Sequence, residues 1–197
     1  MSTKFSRILL CAGLMGVYGC GGSDEATLAP EGLSADDRDA PADETTPVEA
    51  QAQALSRAEQ VAVIERRLLA TNTRDWDSWE ALHTPDAIRT APELEEPLHG
   101  APAMRAAIET LSVAFPDYHL ELRQALSEGE WLSVRLHTTG TMTGPLLLSD
   151  GTLVPATGQS IAQDWSALVR FEGERIAAFD EYYDQLTLML QLGLLAP

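Results

Sequence analysis

Apolar residues recur mainly at helical spacing up to Phe115 of this chain, and from Tyr118 to Asp184 they alternate as strands do. That change of period constrains the fold more than any other feature. Ser56 stands where an N-cap would, with Glu59 three residues later, a capping-box spacing. Val61, Ile64, Leu68 and Leu69 then share a helical face, and Asn72 and Thr73 break the run. Asp75 is placed to cap a second, short helix carrying Trp76, Trp79 and Leu82. "PDAIRTAP" reads as a short strand. Gly100 to Phe115 reads as a helix with Met104, Ala107, Ile108, Leu111 and Phe115 inward, ended by Pro116. Four strand patterns follow, "YHLELRQAL", "EWLSVRLHTTGTM", "SIAQDWSALVRF" and "RIAAFDEYYD". Gly-bearing turns at Ser127 to Glu130 and Glu172 to Glu174 mark hairpins. "LTLMLQL" closes the chain as a helix, with Gly193 as its stop. Strands that follow helices, instead of alternating with them, predict an α+β fold with a mostly antiparallel sheet. Helices on one face of a bent sheet leave a concave pocket between them.

Composition removes several classes of function. The formal charge of −17 argues against nucleic acid and against a grip on anionic lipid. Lys4 is the only lysine and precedes the folded region, so the domain has no Schiff-base or P-loop lysine. Any cation in a site must be Arg or His. Cys11 and Cys20 also precede the folded region, so no disulfide supports it and no thiol nucleophile lies within it. His83, His99 and His119 stand apart, and His137 has no HxH or HxxxH partner, so no metal site is expected. No GxGxxG, GxSxG or internal repeat is present, and no cofactor is implied.

The first residues read as an address. Lys4 and Arg7 precede the apolar run "ILLCAGLMGV", which has signal-peptide length and is too short to span a bilayer. "VYGC", Val17 to Cys20, resembles a bacterial lipobox, in which the cysteine becomes lipidated. The expected organisation is a lipoprotein signal peptide over 1–19, an acidic disordered tether over 20–55 and a domain over 56–197. The stretch 21–54 carries nine acids, three prolines and no aromatic residue, too little apolar surface to offset ordering. Gly21 after the cysteine favours the outer membrane in a two-membrane envelope, held by lipid at Cys20.

Acids and aromatics crowd together at "FDEYYD", Phe179 to Asp184. Alternation puts Phe179, Glu181 and Tyr183 on one face of a strand and Asp180, Tyr182 and Asp184 on the other. Apolar content does not choose between the faces. Asp184 precedes a helix and suits an N-cap, and Asp180 suits an exposed position. Arg135 and His137 alternate on one strand with Trp131 and Ser133. They either clamp an anion or carbonyl and relay protons, or lie on the outer face while Val134 and Leu136 meet the helices. Trp76, Trp79, Trp131 and Trp165 suit either a core or a ligand pocket.

The segments "NTRDWDSWEALHTPDA", "LHGAPAMRAAIETLSVAFPDYHLEL", "GEWLSVRLHTTGTMTG", "ALVRFEGERIAAFDEYYDQ" and "LMLQLG" together resemble the nuclear transport factor 2-like superfamily. Within it, the likeness is to SnoaL-like polyketide cyclases and their ester-cyclase, ketosteroid-isomerase and epoxide-hydrolase relatives. The resemblance implies a cone-shaped fold, with a curved sheet wrapped around N-terminal helices and an internal pocket. It implies a small hydrophobic ligand and chemistry without a cofactor. It places Glu181, with Phe179 and Tyr183, on the pocket side, Glu181 standing where catalytic members carry their acid. The cyclases' pocket histidine corresponds to Ala167 here. The Tyr and Asn of the epoxide hydrolases become Ile88 and Thr90, and their Arg and Asp become Arg135 and His137. The implied constellation is Glu181, His137 and Arg135, with Ile88, Thr90, Trp131, Trp165, Phe179 and Tyr183 lining the ligand.

These readings leave three functions open. One is proton transfer on a hydrophobic carbonyl compound, with Glu181 as base or acid. Another is a binding domain that holds a lipophilic molecule without turnover. The third is an interaction module whose sheet face makes a homodimer.

Overall fold

A computed structural model describes residues 54–148 and 151–195. Helix α1 (Arg57–Thr73) opens with the expected capping box: the Ser56 hydroxyl accepts from the Glu59 amide, and the Glu59 carboxylate accepts from the Ser56 amide. Its buried face is rotated from the expected one. Gln60, Val63, Ile64, Arg67, Leu68 and Thr71 face inward, whereas Leu69 is 63% exposed. Three polar residues on the buried face account for the difference, because each finds a partner inside. Gln60 donates to the Gly129 carbonyl, the Thr71 hydroxyl donates to the Arg67 carbonyl, and Arg67 donates to His83.

Arg74 ends α1 in the left-handed region, at φ 62°. Its guanidinium secures this conformation by donating to the Thr71, Tyr118 and Pro116 carbonyls. Asn72 imitates a strand partner, donating to the Leu120 carbonyl and accepting from the Leu120 amide, both at 2.9 Å. Helix α2 (Trp76–Ala81) is capped by Asp75 as its sequence predicts.

A six-stranded sheet follows. Its strands are β1 (His83–Thr90), β2 (Leu98–His99), β3 (His119–Glu128), β4 (Trp131–Thr141), β7 (Ser160–Glu172) and β8 (Arg175–Tyr182). Their order is β2-β1-β8-β7-β4-β3. Only the β1–β8 pairing is parallel; the rest is antiparallel. Strands β5 (Leu146–Leu147) and β6 (Leu153–Val154) form a small separate pair, and like β2 they are too short to give a period in sequence. Helix α3 (Ala101–Ala114) packs on β1, and α4 (Gln185–Gln191), capped by Asp184, packs on β7. On α3, Met104 is buried and Phe115 follows it into the core, while Ala107, Ile108 and Leu111 are half-buried. The result is the expected α+β architecture.

Leu132, Val134, Leu136, Ala167, Val169 and Phe179 form the sheet's inner face, closed by Val63, Ile64, Leu68 and Trp79 from the helices. The expected signal peptide, most of the tether and Cys20 lie outside the described residues. Leu55, assigned to the tether, packs partly buried against this core.

The loop after β4 crosses the end of α3 with no spare room. A Cβ built on Gly144 would meet the Val113 carbonyl oxygen at 2.0 Å, and the Gly144 amide donates to the Ala114 carbonyl. Gly144→Ala is therefore expected to cost roughly 1–3 kcal/mol, the usual range for overpacking. Its thermal midpoint, measured beside wild type, checks this; an unchanged midpoint would refute the close fit.

Candidate functional site

Strand register sorts the expected residues onto two faces. Ala125, Val134, Ala167 and Glu181 lie in one row across β3, β4, β7 and β8, and the first three are buried. Glu181 therefore faces inward, as does Phe179, paired in parallel with Arg89. The next row is Gln124, Arg135, Ser166 and Tyr182, on the outer face. Arg135 and His137 thus stand on the opposite side of the sheet from Glu181, which corrects the grouping of these three. Both are held by Asp164, Arg135 through Nη2 and His137 through Nδ1 at 2.6 Å. These contacts hold the Asp164 carboxyl below its ordinary range. With Trp165, Ser166, Tyr182, Tyr183 and Asp184, Arg135 and Asp164 line an open groove of about 380 Å³.

Ile88, Thr90 and Trp131 also lie outside. Ile88 pairs with Ala178, Trp131 with Arg170, and the Thr90 hydroxyl donates to Asp180 at 2.7 Å. Trp165, Phe179 and Tyr183 belong to the inner face and its rim. The Trp165 and Phe179 rings meet edge to face at 6.4 Å, and the Trp165 indole donates to Thr138 at 2.7 Å. The Tyr183 phenol donates to Glu93 at 2.6 Å. Burial and the Glu93 carboxylate raise the Tyr183 pKa well above that of a free phenol.

The true partner of Glu181 is Arg89, the residue between the two β1 positions taken from the resemblance. Arg89 donates through Nε to one Glu181 oxygen and through Nη2 to the other, both at 2.8 Å. Nη2 also donates to Glu93 at 2.8 Å. The pair is largely withdrawn from water, with side-chain exposures of 16% for Arg89 and 10% for Glu181. Burial alone would lower the Arg89 pKa, but the Glu181 and Glu93 charges outweigh it and raise it. Bidentate charge-assisted bonds of this geometry fix the plane of the carboxylate. Ala167, 1% exposed, sits directly across from Glu181, so no imidazole stands at the cyclases' histidine position.

Deeper in the cone lies a group that sequence reading missed altogether. Arg67 is 5% exposed, with its guanidinium carbon 3.9 Å from the Phe179 ring centre and 5.0 Å from that of Trp79. Its Nε donates to His83 Nε2 at 3.3 Å, which makes His83 Nδ1 the donor to the Trp79 carbonyl at 2.8 Å. His83 is thereby held neutral. Burial and then the Arg67 charge push its pKa down to about 3. Burial lowers the Arg67 pKa to about 10, and Glu181 opposes this. Tyr118, also inside, is pushed up to about 12 chiefly by burial. Among the described residues no cluster of His, Cys, Asp and Glu could hold a metal ion.

The architecture is an α+β cone with an arginine-held carboxylate on the inner side of its sheet. The family model of the SnoaL-like polyketide cyclases matches residues 62–192, and the chain belongs to that family. Among solved structures it is similar to TsrD of Streptomyces laurentii, at 28% identity over 72% of this chain and 99% of that one, with a TM-score of 0.62. AclR of Streptomyces galilaeus is 23% identical over 72% of this chain and 85% of its own, with a TM-score of 0.61. A SnoaL-like protein of Jannaschia sp. is 21% identical over 73% and 99%, with a TM-score of 0.62. The last two share the fold. No curated protein matches the sequence.

Histidine 83 sets an acid limit on stability. It is neutral in the fold but takes a proton near pH 6.5 once unfolded. Its contribution is therefore complete above about pH 6.5 and is lost as pH falls toward about 3, by up to roughly 1.4 kcal/mol per pH unit. His83→Gln should flatten the fall in thermal midpoint between pH 6.5 and 5. An identical slope in both proteins would exclude His83 as its source.

Proposed function

We propose that this protein admits a small hydrophobic carbonyl compound to the concave side of its sheet and moves a proton on it without a cofactor. The observation that carries the reading is the inward Glu181 on the last strand, held through both oxygens by Arg89 beside Phe179 and Trp165. An ionised carboxylate is competent as a base. Arg89 holds its orientation, and the guanidinium's positive charge would stabilise an enolate formed nearby. Trp165 and Phe179 supply apolar surface, and Tyr183 with Glu93 forms the polar rim. The fold family supports a pocket; the choice of reaction is our own.

A second reading, retention of the ligand without turnover, has its own support. Both Glu181 oxygens are already engaged, and Ala167 supplies no proton relay. One pair of measurements separates the two. The full-length protein would be screened by thermal shift against lipophilic ketones, esters and lactones, and hits would then be tested for turnover. Under the catalytic reading Glu181→Gln lowers turnover by roughly 10²–10⁴-fold, the usual worth of a general base, while stabilisation by the ligand persists. Full activity in Glu181→Gln would show that the carboxylate is not the base. Stabilisation without turnover in wild type would leave the retention reading.

We also propose that lipid on Cys20 fixes the domain to a bacterial envelope, with the acidic segment as spacer. Positive charge, apolar run and cysteine in that order support it. Cys20→Ala should move the protein from the membrane to the soluble fraction and abolish incorporation of labelled palmitate. Labelling that survives the substitution would place the lipid elsewhere.

A further inference from the structure

The buried cation Arg67 has its ring-facing side covered and its N–H edge open. Phe179 at 3.9 Å and Trp79 at 5.0 Å meet the guanidinium by cation–π contact. The donors lie in the guanidinium plane, and of these only Nε is used, toward His83 at 3.3 Å. Among the described residues, neither Nη group donates a hydrogen bond and no carboxylate forms an ion pair with Arg67. Nor do the Nη atoms belong to the polar atoms sealed from solvent without a partner, so that edge borders accessible space while the side chain is 95% buried.

Arg67 lies close to the proposed ligand site. Phe179, on which Arg67 stacks, is two residues before Glu181 on the same face of β8, roughly 7 Å along the strand. Arg67 interacts through space with Glu181, Arg89 and Tyr118. Two guanidinium groups thus approach the inner face beside one deep carboxylate, and Arg89 already has that carboxylate in both of its oxygens. The remaining acid, Glu93, stands at the rim and is 33% exposed. A buried cation whose donor edge has no anion is costly unless something else meets it. His83 cannot, because its accepting nitrogen meets only Nε and its neutral form carries no charge.

We propose that the Arg67 edge receives a carboxylate carried by the ligand, so that the molecule bound is a small hydrophobic acid. A planar two-oxygen anion matches the guanidinium fork in a way that a ketone or ester oxygen does not. The acid group would sit at the closed end, its apolar body would lie along Trp165 and Phe179, and Glu181 would remain with Arg89. The inference rests on the pocket reading above and narrows its ligand.

The test compares each acid with its own neutral form. The full-length protein would be titrated by calorimetry with 2-naphthoate and decanoate, one planar and one flexible, and with the methyl ester of each. At least one acid is expected to bind roughly ten-fold or more tightly than its ester, the usual worth of a charge-assisted hydrogen bond. In Arg67→Met that preference should vanish while ester binding persists. Arg67→Lys, which retains charge but not the fork, should keep only part of it. Equal affinity of acid and ester in wild type overturns the proposal, as does a preference that survives in Arg67→Met. Should Arg67→Met not fold, the wild-type ratio and its reduction in Arg67→Lys decide. Binding of neutral ketones or esters without acid preference sinks this inference and spares the pocket reading. No binding of any compound sinks both.

Discussion

Closing a sheet over helices removes water from its inner face, so every ionised group there must find compensation within the protein or in what it binds. This constraint organises the structure around β8. Glu181 is met by both arms of Arg89, and Arg89 is met again by Glu93. His83 escapes the cost by staying neutral between the Trp79 carbonyl and Arg67. Arg67 is compensated in part by ring faces. The same network that makes these charges tolerable also decides what chemistry the concavity can support. It engages both Glu181 oxygens and so fixes the direction in which the carboxylate points.

The outer face follows the opposite rule. Arg135, His137 and Asp164 form a compact group there, and its chemical composition looks more like a catalytic site than Arg89 with Glu181 does. Yet it lies in an open groove with water at hand, where ion pairs are weak and steering of a reaction is difficult. Burial separates the two clusters, because an electrostatic interaction strengthens as water is removed.

Much of the fold was legible from local rules. The caps at Ser56, Asp75 and Asp184 are side-chain-to-backbone bonds spanning three residues, so their signals are local. The long strands carry enough residues for a period of two to be read, whereas β2, β5 and β6 have two residues each and carry none. On α1 the inward face was read from Val61, Ile64, Leu68 and Leu69, whereas Arg67, four residues from Val63 and three from Ile64, sits in the middle of the buried stripe. On β1 the parity was misassigned. Ala87 and Ala91, both buried, alternate with Arg89 and would have marked it as inward, but small residues are weak indicators of a face.

By itself, then, the sequence determined the order and type of the long elements, the absence of a lysine or thiol from the domain, and the inward acid at Glu181 through its family position. These depend on spacing along the chain or on composition. Only the tertiary structure decided which partner Glu181 has. Arg89 is 92 residues away, and its claim over Arg135 depends on a parallel β1–β8 pairing that no local period encodes. Burial of Arg67 was decided in the same way, by rings from α2 and β8 that meet α1 only once the sheet has closed. Parity and pairing across strands are properties of the assembled sheet, and a shift of one residue in either would have exchanged the inner and outer clusters.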